Sequence, residues 1–425
     1  MPSNSRCARW LLLASAALLV WTATGAAQSK RDKSKGEQPA GPTDYYSEHF
    51  VVHTDLAADE AKDLLDRLET MLSLISTYWA RPCVGKIECY VVKDLDKWPS
   101  GKIPEEGLAH IQAGAGVTIT STLATGALSL SRAVVYAVAD RGTPQHEAVH
   151  AYCGQTFGTT GPVWYSEGMA EMGQYWRKDD KSVRIHDVVL DYLRATPPKS
   201  MNEIVNGQEF TGDSWQNYAW RWALCHLLAN NTNYAAKFRP LGLALLKKEP
   251  TSFEAVYGDM AEEIVFEYRF FLGHLEQGFR SDLCSWDWKR KFRLPKGSAV
   301  VTAKIRADRG WQPSGVLVAQ DTQYQCDASG TWQTAQKSDP VSADGRADDG
   351  TGKLVGVIMT EDDGKNYQLG DPFDLGADAV FTAATAGKLY LRCQDKWGEL
   401  ADNKGTLTVK LKAAKNNQPT SIPDR

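Results

Sequence analysis

The sequence predicts an α+β region followed by an all-β sandwich, and two changes of texture along its 425 residues predict it. From His49 to about Arg280, strand-like runs give way to long helical patterns. Beyond Leu294-Pro295-Lys296-Gly297 the chain breaks into short β-type runs separated by Gly-, Asp- and Ser-rich turns.

The elements follow in order. His49–Thr54 (HFVVHT) reads as a strand. Asp59–Trp79 places Ala61, Leu64, Leu65, Leu68, Met71, Leu72 and Ile75 at helical spacing, which gives a one-faced amphipathic helix. Lys86–Val92 and Val117–Thr122 read as further strands. From Pro144 to Arg280 the pattern is mainly helical, with Pro162, Pro197-Pro198 and Pro240 as expected breakers. The C-terminal strands are expected at Ala299–Ile305, Gly315–Ala319, Leu354–Thr360, Ala379–Ala383, Leu389–Arg392 and Thr406–Leu411.

Met1–Ala27 has a basic start, an apolar run from Trp10 to Val20 and small residues after it, the layout of a secretory signal peptide. The chain is therefore expected to be secreted or periplasmic, with no transmembrane anchor after cleavage. Residues 28–43 read as a flexible leader, 44–293 as the α+β domain, 298–412 as the sandwich and 413–425 as a loose tail. With 48 basic against 52 acidic side chains, the composition argues against a nucleic-acid partner. Seven cysteines lie beyond the signal segment. In an oxidising compartment Cys83 with Cys89, and Cys326 with Cys393, are the candidate bridges.

Pro144–Gln174 carries the most chemistry. His146-Glu147-Ala148-Val149-His150 puts two imidazoles one helical turn apart on one face, where both can reach one tetrahedral Zn²⁺. Glu147 stands where it can take a proton from water at that metal. Further on comes Trp164-Tyr165-Ser166-Glu167-Gly168-Met169-Ala170-Glu171, in which sixteen residues separate Glu167 from His150. Three protein ligands would leave one position open, as catalytic zinc sites do.

These two motifs resemble the gluzincin metallopeptidases of the thermolysin and aminopeptidase N clan. They are most similar to the bacterial peptidase-MA-like families, whose second motif is W-x-x-E-G-x-A-E. The resemblance is strong over Thr143–Gln174 and diffuse over roughly residues 44–285. It implies a gluzincin-type domain with His146, His150 and Glu167 as zinc ligands, Glu147 as general base and Glu171 orienting a ligand histidine. No counterpart of the aminopeptidase amino-terminus motif occurs upstream, so an endopeptidase is expected. A donor for the oxyanion is expected from Asn217–Asn230, where Tyr218, Trp222 and His226 fall on one stripe; Tyr218 is the first choice and His226 the second. The alternative for that stripe is ordinary core packing.

Leu389–Val409 offers clustered oxygen ligands of the kind Ca²⁺ prefers. With Gly330-Thr331-Trp332 it resembles the PA-IL-type galactose-binding lectin-like sandwiches. That resemblance implies calcium held by the side chains of Asp395, Asp402 and Asn403 and the backbone carbonyl of Glu399. It departs from the family at Ala335, which stands in place of a tyrosine, and between residues 336 and 353, which hold no histidine. The expected function is a zinc peptidase hydrolysing peptide bonds by zinc-activated water, with a module that binds glycan or cell-envelope carbohydrate. The alternative is a calcium-dependent carbohydrate-binding or adhesion protein whose peptidase fold is catalytically silent.

Overall fold

A computed structural model describes residues 41–125, 128–207, 215–363 and 365–414. The expected signal peptide, the leader up to residue 40 and the tail from residue 415 lie outside the described residues. Strands β1 (Thr43–Tyr46) and β2 (Phe50–Thr54), helix α1 (Ala58–Trp79), β3 (Ile87–Val92), α2 (Glu105–Gln112), β4 (Gly116–Thr125) and β5 (Leu128–Val138) open the fold. They build a mixed sheet in the order β1-β2-β3-β5-β4: β2, β3 and β5 run parallel, and β1 and β4 pair antiparallel at the edges. All seven apolar positions expected on one face of α1 are buried, and Trp79 extends that stripe.

The helical part comprises α3 (Thr143–Phe157), α4 (Val163–Tyr175), α5 (Asp187–Ala195), α6 (Met201–Asn206), α7 (Trp215–Asn230), α8 (Ala235–Leu246), α9 (Phe253–Tyr257) and α10 (Ala261–Gly273). Two of the expected breakers sit between helices: Pro162 precedes α4, and Pro197-Pro198 separates α5 from α6. Pro240 does not act as one; it lies inside α8, whose first turn is anchored on the carbonyls of Asn231 and Tyr234.

The chain then forms β6 (Val301–Arg306), β7 (Gln312–Val318), β8 (Gln323–Ser329), β9 (Trp332–Gln333), β10 (Leu354–Asp362), β11 (Lys365–Leu369), β12 (Phe373–Asp374), β13 (Asp378–Thr382), β14 (Gly387–Cys393) and β15 (Lys404–Ala413). One sheet runs β11-β10-β14-β7 with β12 beside β10; the other runs β13-β8-β15-β6 with β9 on β15. Residues of both sheets share one apolar core that includes Tyr324, Trp332, Leu391 and Val409. The described residues thus mix helices with sheets, and the two all-antiparallel sheets lie at the C-terminal end.

A second apolar cluster joins the helical and β parts: Phe266 and Phe270 of α10 pack with Trp286, Trp311, Val355, Val357, Met359 and Tyr390. At about 1.5–3 kcal/mol for each fully buried large side chain, this seam is a major stabilising surface. Glu267 sits inside it at 2% exposure. Its carboxylate accepts hydrogen bonds from Tyr234 Oη (2.8 Å), Asn233 Nδ2 (2.8 Å), Trp288 Nε1 (2.7 Å) and Asn231 Nδ2. Burial raises its pKa, and those four donors oppose the rise.

Neither expected disulfide is present. Cys89 points from β3 into the core while Cys83 sits in the preceding turn, its thiol 3.6 Å from the Gly85 carbonyl. Cys326 and Cys393 lie on different sheets and are both free. Among the described residues no helix is long and apolar enough to cross a membrane.

Candidate metal centre

Helices α3 and α4 carry the site, and both are buried along almost their whole length, unlike the one-faced α1. The Asp140 carboxylate starts α3 by accepting from the N–H groups of Gly142 (2.9 Å) and Thr143 (2.7 Å). Close helix approach needs the motif glycines. A Cβ on Gly168 would meet Cys225 Sγ at 2.4 Å and the Arg221 carbonyl at 2.8 Å on α7, and one on Gly173 would meet Val149 at 2.4 Å on α3. The glycine of the Glu167-Gly168 pair is therefore a packing requirement that fixes where Glu167 points.

His146, His150 and Glu167 converge into a group that could hold a metal ion. His146 Nε2 lies 3.3 Å from Glu167 Oε2 and 3.2 Å from His150 Nε2, and His150 Nε2 lies 3.4 Å from the same Glu167 oxygen. Three donors bound tetrahedrally at 2.0–2.1 Å stand about 3.3 Å apart, so the observed triangle has the dimensions such an ion requires. The residues fit the group that the sequence implies.

Both imidazoles of this trio are held from behind. His146 Nδ1 lies 3.0 Å from Glu171 Oε1, and Gln174 Nε2 donates to the other Glu171 oxygen at 2.5 Å. His150 Nδ1 lies 3.2 Å from Ser166 Oγ. Both imidazoles thus engage Nδ1 in the scaffold and turn Nε2 toward the cluster. Glu147 is fixed by Thr118 of edge strand β4, whose hydroxyl lies 2.8 Å from both Oε2 and the Glu147 carbonyl. Gly116 lets β4 come this close, because a Cβ there would meet Glu147 Cγ at 2.7 Å.

The five carboxylate and imidazole residues are each between 7% and 9% exposed, so their mutual electrostatics are weakly screened. Burial would raise the Glu167 pKa, but the adjacent His150 and His146 pull it far below the ordinary carboxylate range. Burial would lower His146, yet Glu167 and Glu171 outweigh it and hold the imidazole well above its usual range. A divalent cation would compete with that proton for the same nitrogen.

The cluster opens into a cleft of about 1000 Å³ lined by α2, β4, α3 and α7, the last contributing Trp215 and Tyr218. Tyr218 is half-buried, its ring centred 5.7 Å from the His146 ring. His226, the second choice, does not reach this cleft. It lines a separate small cavity with Tyr175 and Trp222, stacked on Phe271 at 5.7 Å, because it lies two turns further along α7. Thr118, Ser166 and Gln174 escaped the sequence reading. Ser166 had a signal, since it adjoins Glu167 on the same helix; Thr118 had none, since only the fold brings β4 to α3.

The lectin-like motif is placed differently. Asp395, Glu399, Asp402 and Asn403 lie on the loop between β14 and β15. Asn403 Nδ2 donates to Asp395 Oδ2 at 2.9 Å, and Glu399 pairs with Lys396 at 2.8 Å. Asn403 is 4% exposed and its Oδ1 has no hydrogen-bond partner, an orphaned buried oxygen of the type a calcium ion takes up. The same loop is wedged against the helical part. Trp397 contacts Phe270 at 5.1 Å and His274 at 4.7 Å, with the Arg392 guanidinium 3.5 Å from its ring centre. A Cβ on Gly398 would meet the Gln277 carbonyl at 2.1 Å. Bulky ligand cannot enter on that side.

No family model matches the chain, and no curated protein does. Among solved structures, a PllA-like lectin, the N-terminal domain of EclA, is 18% identical over 27% of this chain and 95% of its own, with a TM-score of 0.22. The structure of IMPa from Pseudomonas aeruginosa in complex with an O-glycopeptide is 13% identical over 58% of this chain and 27% of its own, with a TM-score of 0.19. The IMPa metallopeptidase in complex with T-antigen is 12% identical over 77% and 37%, at 0.18. The chain spans about a third or less of the length of those metallopeptidase structures. At such TM-scores the likeness carries neither fold nor activity over to this chain.

Proposed function

We propose that this chain is a secreted or periplasmic zinc-dependent peptidase of the gluzincin type, acting on protein or peptide substrates as an endopeptidase. The observation that supports it is the 3.2–3.4 Å triangle of His146, His150 and Glu167 beside a positioned Glu147 in an open cleft. When bound, zinc supplies Lewis-acid polarisation of a carbonyl and a lowered pKa for water. Thr118 holds the Glu147 carboxylate in place, and that carboxylate takes a proton from water and later passes it to the leaving amine. Glu171 and Ser166 keep both imidazoles in the tautomer that presents Nε2. Tyr218, whose ring lies 5.7 Å from that of His146, donates its phenol proton in a hydrogen bond to the developing oxyanion.

The C-terminal sheets are proposed as a carbohydrate- or surface-binding module that holds the enzyme to its substrate layer. Calcium at Asp395, Asp402 and Asn403 is part of the proposal, supported by the orphaned Asn403 oxygen. Since Trp397 and Gly398 fill one side of that loop, the ion would brace the seam there. A catalytically silent adhesion protein is the weaker reading, because such a protein has no need of Thr118 clamping Glu147.

Metal analysis of the purified chain, combined with cleavage of a broad peptide library by wild type and Glu147→Gln, tests the reading. About one zinc per chain and cleavage by wild type alone are expected. Zinc without cleavage by wild type would sink the enzyme; equal cleavage by Glu147→Gln would sink the mechanism.

A further inference from the structure

Trp397 closes one side of the β14–β15 loop, and the β part carries a second concave surface. A cleft of about 530 Å³ lies where the segment after the helices meets β6, within the range of ligand pockets. Strand β6 alternates strictly, burying Val301, Ala303 and Ile305 and turning Thr302, Lys304 and Arg306 outward. Successive outward side chains on a strand stand about 7 Å apart, so Lys304 and Arg306 form the start of a row. Arg290, from the segment after the helices, and Arg309, from the turn after β6, line the same cleft.

Their charges are poorly compensated. Arg306 is bridged by Asp308, and Arg309 Nη1 donates to the Asp282 carbonyl at 2.9 Å, which leaves its charge unpaired. Arg290 and Lys304 make no ion pair among the described residues. One carboxylate, Asp287, lines the cleft against these four cations. Concentrating positive charge from two separate elements in one concave site is what attracts a multivalent anion.

We propose that this cleft binds an acidic saccharide chain, through sulfate or carboxylate groups set against Arg290, Lys304 and Arg309. The proposal rests on the surface-attachment half of the function above and is independent of the zinc half. A single-stranded nucleic acid fits less well. Trp311, the aromatic side chain in the lining, is 6% exposed with the Arg392 guanidinium 5.6 Å from its ring centre, so it offers no face for a base. Thr302 instead turns a hydroxyl suited to a sugar outward into the cleft, while the Gln312 amide is spent on the Arg306 backbone, accepting from its N–H and donating to its carbonyl at 2.9 Å.

The test titrates the full-length wild-type chain with a heparin-derived sulfated oligosaccharide and, separately, with an oligogalacturonate carrying carboxylates alone. Binding of at least one is expected, weakening as salt rises. R290A/K304A should lower its affinity at least about tenfold, as loss of two phosphate-type contacts does elsewhere. The exposed pair K62A/K178A, outside the cleft, should leave it intact. Zinc content and peptide cleavage should be the same in all three proteins, so failure of this site is distinguishable from failure of the peptidase. Binding of neither saccharide, unchanged affinity in R290A/K304A, or equally tight binding of an oligodeoxynucleotide of matched charge would each overturn the proposal.

Discussion

The α3–α4 centre gathers two imidazole nitrogens and a carboxylate oxygen, the β14–β15 loop offers oxygens alone, and the molecule supports the two to different degrees. At the centre, each ligand imidazole has a second partner, Glu171 behind His146 and Ser166 behind His150, and Glu147 has Thr118. In the loop, Asn403 keeps a buried oxygen without a partner while Trp397 and Gly398 are committed to packing. A ligand set supported from behind is prepared for work at an open cleft. One wedged into a seam is prepared to hold two surfaces together. Within the loop the contrast is repeated: Asn403 is buried while Glu399 and Asp402 are exposed.

The largest effect expected from this contrast is at Glu147. Replacement by Gln keeps the size and the Thr118 hydrogen bond but removes the base, so peptide cleavage should fall roughly 100- to 10,000-fold. Metal content should stay at the wild-type level, measured by elemental analysis, because Glu147 is not among the converging ligand atoms. Loss of metal along with activity would mean that Glu147 builds the site instead of acting in it.

His226 sharpens the contrast inside the helical half, since its Nε2 is buried without a partner where the ligand histidines are fully engaged. Burial pushes its pKa down to about 4 from the ordinary value near 6.5. Above pH 6.5 both folded and unfolded forms are neutral, and nothing is lost. As pH falls from 6.5 toward 4 the unfolded chain takes up a proton that the native ring refuses, so stability drops by up to about 3 kcal/mol. His226→Phe, stacked between Trp222 and Phe271, should remove that part of the acid limb in denaturation curves between pH 4 and 7. An unchanged acid limb would show that His226 reaches solvent or a partner.

Glu171→Gln comes next. It keeps a carbonyl oxygen for His146 Nδ1 but removes the charge, and such partners are worth about 10- to 100-fold in metal affinity. Competition with a chelator reads this directly. Affinity equal to wild type would mean that helix packing alone orients His146.

These residues also mark what the sequence could and could not reveal. The ligands were legible because two periodicities coincide: i, i+4 on α3 and the Glu167–Glu171 turn on α4. The face of α1 was legible for the same reason. Thr118 was hidden because it reaches Glu147 across tertiary structure. Strand β8 was hidden too: its inward residues Tyr324, Cys326 and Ala328 alternate with Gln and Asp but look weakly apolar as a run. Strand β5 went unread because its apolar stretch Ala133–Val138 lacks alternation. The seam was illegible in principle, since Phe270, Trp286 and Trp397 meet from segments with no common pattern.

The smallest expected effect tests the loop on its own terms. If the Asn403 oxygen is a calcium ligand, calcium at about ten times its dissociation constant should stabilise the full chain by about 1.4 kcal/mol. In a chain this long that is a rise of roughly 2 °C or less in melting temperature. Asn403→Ala should abolish the calcium response, as should Asp402→Asn, which removes a charge without touching the Asn403–Asp395 hydrogen bond. Magnesium, which demands a tighter octahedron, should not substitute. Because the loop is wedged against α10 through Trp397, the calcium shift should appear in the unfolding of helical and β parts together, followed by far-UV circular dichroism at wavelengths that weight each. A shift confined to the β signal would mean that the seam transmits nothing. No shift in wild type would mean that the loop serves as a wedge and holds no calcium.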